Sequence, residues 1–144
     1  GLRLGLLAGS SAWLQHIEKV RLPYNVNVLT QLVAGEVLQH REVLESQAAA
    51  IRAERTRVLA ELRRTPGVVA YASDANFILF RVATADQVFG GLKQRGVLIK
   101  NLHATHPLLA NCLRVTVGTP DENARFTNAL KASLASQTDI SPPS

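Results

Sequence analysis

The chain has 144 residues, 47% of them apolar and 19% charged, with a formal charge of +5 and an isoelectric point near 10.0. That length allows one ordinary core or pieces of two; the composition excludes a disordered chain, and no apolar run reaches the length of a bilayer span. A single cysteine, Cys112, leaves no internal disulfide, so a cytoplasmic address is expected and no membrane or secretory role is. The basic excess lies largely within 41–64, where Glu42, Glu45, Glu54 and Glu61 are interleaved. Mixed signs at helical spacing read as a solvated helix surface, and the few aromatics do not alternate with the basic residues as base-stacking platforms would. Nucleic acid is therefore not an expected partner. The chain contains no methionine and opens within a strand-like GLRLG, so it is expected to be a piece of a longer protein.

Residues 2–8 read as a buried strand, apolar except for Arg3 and Gly5. Gly9-Ser10-Ser11 supplies a turn and a cap, and Trp13, Leu14, Ile17 and Val20 follow at helical spacing. Residues 21–27, RLPYNVN, read as an extended connection and a candidate domain boundary. From 28 to 64 there is no proline, and Leu44, Ala48, Ile51, Arg55, Val58 and Leu62 form one stripe. This is one long helix, or two in line with a bend between Gly35 and Arg41, and its length suits a bridge between two bodies. Thr65-Pro66-Gly67 stops it.

Residues 68–72 and 76–82 are expected strands, the second apolar on both faces and so interior to a sheet. Residues 85–95 form an amphipathic helix closed by Gly96 as a left-handed cap. Residues 97–100 make a third strand and 101–111 a loop. In the next strand Leu113, Val115 and Val117 alternate with Cys112, Arg114 and Thr116. Thr119, Pro120 and Glu122 then spell the start of a helix with a capping box, continued by Phe126, Leu130 and Leu134. Residues 137–144 are expected to fray. The part after the long helix is an α/β unit with helices on one side of a sheet and the other side available.

The residues alone offer little catalytic chemistry. His16, His40, His103 and His106 lack metal-ligand spacing, the last two reading as solvated. Cys112 sits among apolar strand neighbours as an inert thiol. What remains is anion recognition by Arg3 beside glycines, Lys100 at a strand end and Arg114 within its strand. Arginine forks a carboxylate or phosphate, whereas lysine is a point charge. From spacing alone each reads first as a solvated or structurally paired cation.

Five segments in order change that balance: GLRLG at 1–5, RLPYNVN at 21–27, ANFILFR at 75–81, GVLIKN at 96–101 and CLRVTVGTPDEN at 112–123. Together they resemble the C-terminal part of the histidinol-phosphate aminotransferase family, within the fold-type-I, pyridoxal-phosphate-dependent aminotransferases. The resemblance runs from Gly1 to about Ala135. It implies an α/β architecture: 1–26 as the end of the large cofactor domain, 27–64 as a long interdomain helix, 65–136 as a small C-terminal domain and 137–144 as a flexible tail. It implies that Arg3 binds the phosphate of pyridoxal 5'-phosphate, and that Arg114 binds the carboxylate of glutamate and contacts histidinol phosphate. Lys100 stands where the family commonly has a substrate arginine, and Tyr24 and Asn25 lie near the active-site mouth. The family's Schiff-base lysine precedes the GLRLG segment, and Lys19, Lys93, Lys100 and Lys131 do not match its position. No catalytic residue is thus expected here, nor turnover by this stretch alone. The implied complete protein is a homodimer acting on small molecules in histidine biosynthesis. A related enzyme such as a phosphothreonine decarboxylase, or a free-standing basic α/β binding module, are the alternatives.

Overall fold

The computed structural model describes residues 2–138. They fall into two compact units, one through Ser46 and one from Gln47 onward.

In the first unit, residues 2–10 carry no regular secondary structure. The expected buried strand is not formed: Leu6 is 92% exposed, and the unit has no strand to pair with among the described residues. A strand apolar on both faces is stable only where neighbours satisfy its backbone and cover its side chains. Helix α1 (Ser11–Glu18) follows, with Ser10 at the N-cap position in extended backbone but making no side-chain cap bond. Helix α2 (Val28–Gln39) is capped by Asn27, whose Oδ1 accepts the Thr30 N–H at 2.8 Å. It ends at His40, with φ −107° and ψ 46°, and α3 (Arg41–Arg64) starts anew. Of the two arrangements open to the sequence, the structure takes the broken one.

The second unit contains the later turns of α3, strands β1 (Val69–Ala70) and β2 (Phe77–Arg81), helix α4 (Ala85–Gln94), strands β3 (Lys100–Asn101) and β4 (Cys112–Thr116), and helix α5 (Pro120–Thr138). The sheet order is β1-β2-β4-β3, every neighbour antiparallel, so β2 is interior as its two apolar faces require. Val58 and Leu62 of α3, Val88 and Leu92 of α4, and Phe126 and Leu130 of α5 bury against Ile78, Phe80, Leu113 and Val115 of the sheet. The rings of Phe80 and Phe126 meet at 5.9 Å and 59°, a tilted pair at the centre of that core. Gly91 marks a close approach of α4 to α5: a Cβ there would lie 2.8 Å from Ser133 Oγ.

Two expected strands shrink to two residues each. The reason is visible for β3: Gly96 N–H bonds Lys93 O at 3.0 Å and Val97 N–H bonds Leu92 O at 2.9 Å, with Gly96 at φ 72°. This Schellman turn commits the backbone at Val97 to the helix end, so pairing with β4 starts only at Lys100. Of the residues expected to fray, 137 and 138 belong instead to α5, which continues to Thr138; the rest of that expectation, 139–144, lies outside the described residues.

Candidate functional site

The sheet face opposite the core carries the unusual chemistry. Arg114 sits in the middle of β4, opposite Leu79 of β2 on one side and Lys100 of β3 on the other. Residues directly opposed in an antiparallel pair project to the same face, so the two cations are neighbours. Neither forms an ion pair with a described acidic residue. Like charges so placed repel one another unless an anion intervenes. The Arg114 guanidinium lies over the Phe77 ring, 5.0 Å from its centroid. Its Nε is buried with no hydrogen-bond partner, a state that costs about 1–3 kcal/mol or more for a charged donor. A stacked, half-buried guanidinium beside an exposed ammonium is suited to binding a carboxylate or phosphate. A cleft of about 520 Å³ adjoins them, lined among others by Gly118, Glu122, Arg125 and Phe126.

The turn that follows β4 is tightly bonded. Thr119 N–H donates to Glu122 Oε2 at 2.8 Å and Glu122 N–H to Thr119 Oγ1 at 3.3 Å, the capping box read from the sequence. Those bonds from Thr119 hold the Glu122 carboxyl below its ordinary range. Asn123, one residue on, is buried and had no evident role in the sequence. Its Oδ1 accepts Gly118 N–H at 3.0 Å, while its Nδ2 donates to Gly118 O at 2.9 Å and to Glu54 Oε2 of α3 at 2.7 Å. Glu54 is held below its ordinary range first by Arg57 and then by Asn123. The adjacent Arg55 donates to Ala75 O at 3.1 Å. Successive α3 residues therefore secure the turn after β4 and the loop before β2.

Of the two loop histidines, His103 is less solvated than expected and His106 is exposed as expected. His103 Nδ1 accepts the Asn111 N–H at 2.9 Å and His106 Nδ1 accepts Leu108 N–H at 3.2 Å. Both are therefore assigned the tautomer protonated at Nε2 and help organise the loop between β3 and β4; His103 is half-buried there, while His106 stays exposed. No group of three potential metal ligands occurs among the described residues. Cys112 is buried, as an inert thiol should be. Arg81, on the same sheet face as Arg114, is taken up structurally: it donates to Leu108 O at 2.9 Å and approaches Cys112 Sγ at 3.5 Å.

The remaining candidates lie in the first unit. Arg3 has φ 54°, is exposed, and makes no ion pair or hydrogen bond to another described residue. Tyr24 has φ 57° and is 96% exposed. Asn25 Oδ1 accepts from Arg21 Nη1 at 2.7 Å, and Arg21 Nε donates to Glu18 at 2.8 Å. Glu18, Arg21, Tyr24 and Asn25, without Arg3, line a cleft of about 480 Å³ with Pro23 and Gln31. The structure thus brings Lys100 and Arg114 together, and separately Tyr24 and Asn25.

The family described as aminotransferase class I and II matches residues 1–130. Histidinol-phosphate aminotransferase 1 of Ralstonia nicotianae is 54% identical over 134 residues, covering 93% of this chain; the chain spans 36% of that relative's length. Among solved structures, the histidinol-phosphate aminotransferase of Clostridium acetobutylicum superposes with a TM-score of 0.73 at 22% identity, over 85% of this chain and 37% of that one. The L-threonine-O-3-phosphate decarboxylase of Porphyromonas gingivalis does so with a TM-score of 0.72 at 22% identity, over 88% and 40%. At such identities the two superpositions establish the fold and do not separate the chemistries.

Proposed function

We propose, proceeding from the fact that this chain belongs to the class I and II aminotransferase family, that it is the C-terminal part of a histidinol-phosphate aminotransferase. The complete protein would move an amino group between glutamate and imidazole-acetol phosphate, yielding 2-oxoglutarate and histidinol phosphate. The observation that carries this reading is the Arg114 guanidinium, stacked on Phe77 with a buried, unpaired Nε and with Lys100 alongside. Such a fork receives the two oxygens of an α-carboxylate and orients the amino acid. Lys100 adds a point charge suited to the same carboxylate or to a substrate phosphate.

Pyridoxal 5'-phosphate, when bound, supplies the electron sink for amino-group transfer. The chain fits that group at one point: Arg3 offers an exposed guanidinium with no partner among the described residues, the chemistry a phosphate ester takes. On the resemblance, Lys19, Lys93, Lys100 and Lys131 do not match the family's Schiff-base position, and Lys131 is bonded to Glu61 at 2.7 Å. We therefore assign the cofactor's covalent anchor to sequence outside this chain, and no turnover to this stretch alone. On the same reading 1–26 ends the large domain, 27–64 connects, 65–136 forms the small domain, and the complete protein is a cytoplasmic homodimer.

The test is an assay of the complete protein with histidinol phosphate and 2-oxoglutarate. Glutamate formation is expected. No turnover there, with CO₂ released from O-phosphothreonine instead, would overturn the assignment in favour of the decarboxylase chemistry.

A further inference from the structure

An arginine on an open sheet face is ordinarily a loose cation, and binding it to a carboxylate costs the side-chain freedom that is lost. Arg114 is already held. Phe77 sits opposite Thr116 in the β2–β4 register, one diagonal step from Arg114, within reach of an aromatic side chain. Its ring carries the guanidinium at 5.0 Å. With Nε buried, the two terminal nitrogens form the edge left for a ligand. The backbone that carries the ring is held in turn. Ser73 Oγ donates to Phe77 O at 2.6 Å and accepts Ala75 N–H at 3.1 Å, and Arg55 of α3 holds Ala75 O.

We propose that Phe77 is a positioning residue for substrate recognition: it acts through Arg114, fixing the height and orientation of the fork before the carboxylate arrives. This rests on the reading of Arg114 as the carboxylate-binding group. Leucine at 77 would keep apolar volume but has no π face, whereas tryptophan restores one and attracts a guanidinium at least as strongly.

Two measurements on the complete holoenzyme separate the possible failures. In steady-state kinetics, Phe77→Leu is expected to raise KM for glutamate roughly 3- to 30-fold while kcat stays within about twofold and the cofactor absorbance is retained; Phe77→Trp restores KM. A KM unchanged in Phe77→Leu, or a parallel loss of KM, cofactor and thermal midpoint in both variants, overturns the inference. Solvent exchange of the Arg114 Nε–H, assigned by its loss in Arg114→Lys, reads the stack without turnover. It is expected to be slow in the wild type, fast in Phe77→Leu and slow again in Phe77→Trp. That pattern in a protein that does not use glutamate overturns the carboxylate reading of Arg114 but leaves the stack standing. Fast exchange in all three proteins overturns the stack whatever the substrate.

Discussion

Arg114 and Glu54 set the consequences at the scale of single residues. If Arg114 receives the amino-acid carboxylate, Arg114→Ala in the complete protein should raise KM for glutamate by about 100-fold or more, the loss of a charged, bidentate hydrogen-bond pair. Cofactor retention, followed by absorbance, should be unaffected. Equal loss of both would assign the wrong arginine. Glu54 gives a pH dependence. Its carboxyl is held below the ordinary value of 4.5 by Arg57 and Asn123. A depressed carboxylate contributes stability that is present above 4.5 and lost as pH falls through its folded-state value. Glu54→Gln should lower stability by roughly 1–2 kcal/mol at neutral pH and flatten the acid limb of a urea-midpoint profile; an unchanged limb would remove Glu54 as its origin. The alternation around Arg114 was legible from the chain alone, because period two needs only neighbours in sequence. Its stack on Phe77 was not, since that ring reaches it only through strand pairing. Asn123 was hidden for the same reason: its partner Glu54 lies far away on another helix.

Among the elements, helix ends were read well and strand lengths poorly. Caps are written locally: the Thr119–Glu122 box before α5 and Gly96 after α4 do what their residue types dictate, whereas the cap expected at Ser10 makes no side-chain bond and Asn27, read only as part of a connection, caps α2. Strand lengths depend on what lies alongside, and residues 2–8 show the difference most clearly. The α4–α5 contact provides a paired test. Gly91→Ala would force a Cβ to within 2.8 Å of Ser133 Oγ and 3.0 Å of its Cβ, so the helices must part at a cost of about 1–3 kcal/mol. Gly90→Ala meets nothing within 4 Å and should gain up to about 1 kcal/mol from helix propensity. Opposite shifts in thermal midpoint are expected, and shifts of the same sign would show that the close approach is not tight.

For the whole molecule, the two units differ in how they treat apolar groups. The second buries a continuous core. In the first, Trp13, Val20, Leu22, Leu29 and Leu32 are exposed and Ala34 is the one buried apolar residue among those described. Surfaces of that kind mark association or incomplete burial. The chain by itself should bind a hydrophobic dye strongly and sediment with a concentration-dependent mass, while the complete protein should do neither. A monodisperse, dye-silent chain would contradict that picture. Length allowed one ordinary core or pieces of two; it could not foretell that the apolar residues of the first unit would stay outside the core that forms.

The juxtaposition of Lys100 and Arg114 reaches into practical handling of the protein. Two cations facing each other across neighbouring strands load the sheet against itself, so multivalent oxyanions should act as folding aids as well as competitors. Sulfate or inorganic phosphate should raise the melting temperature more than chloride does at equal ionic strength. If the complete protein works as proposed, the same additives should depress its turnover, so that material prepared in phosphate looks sturdier and slower than it is.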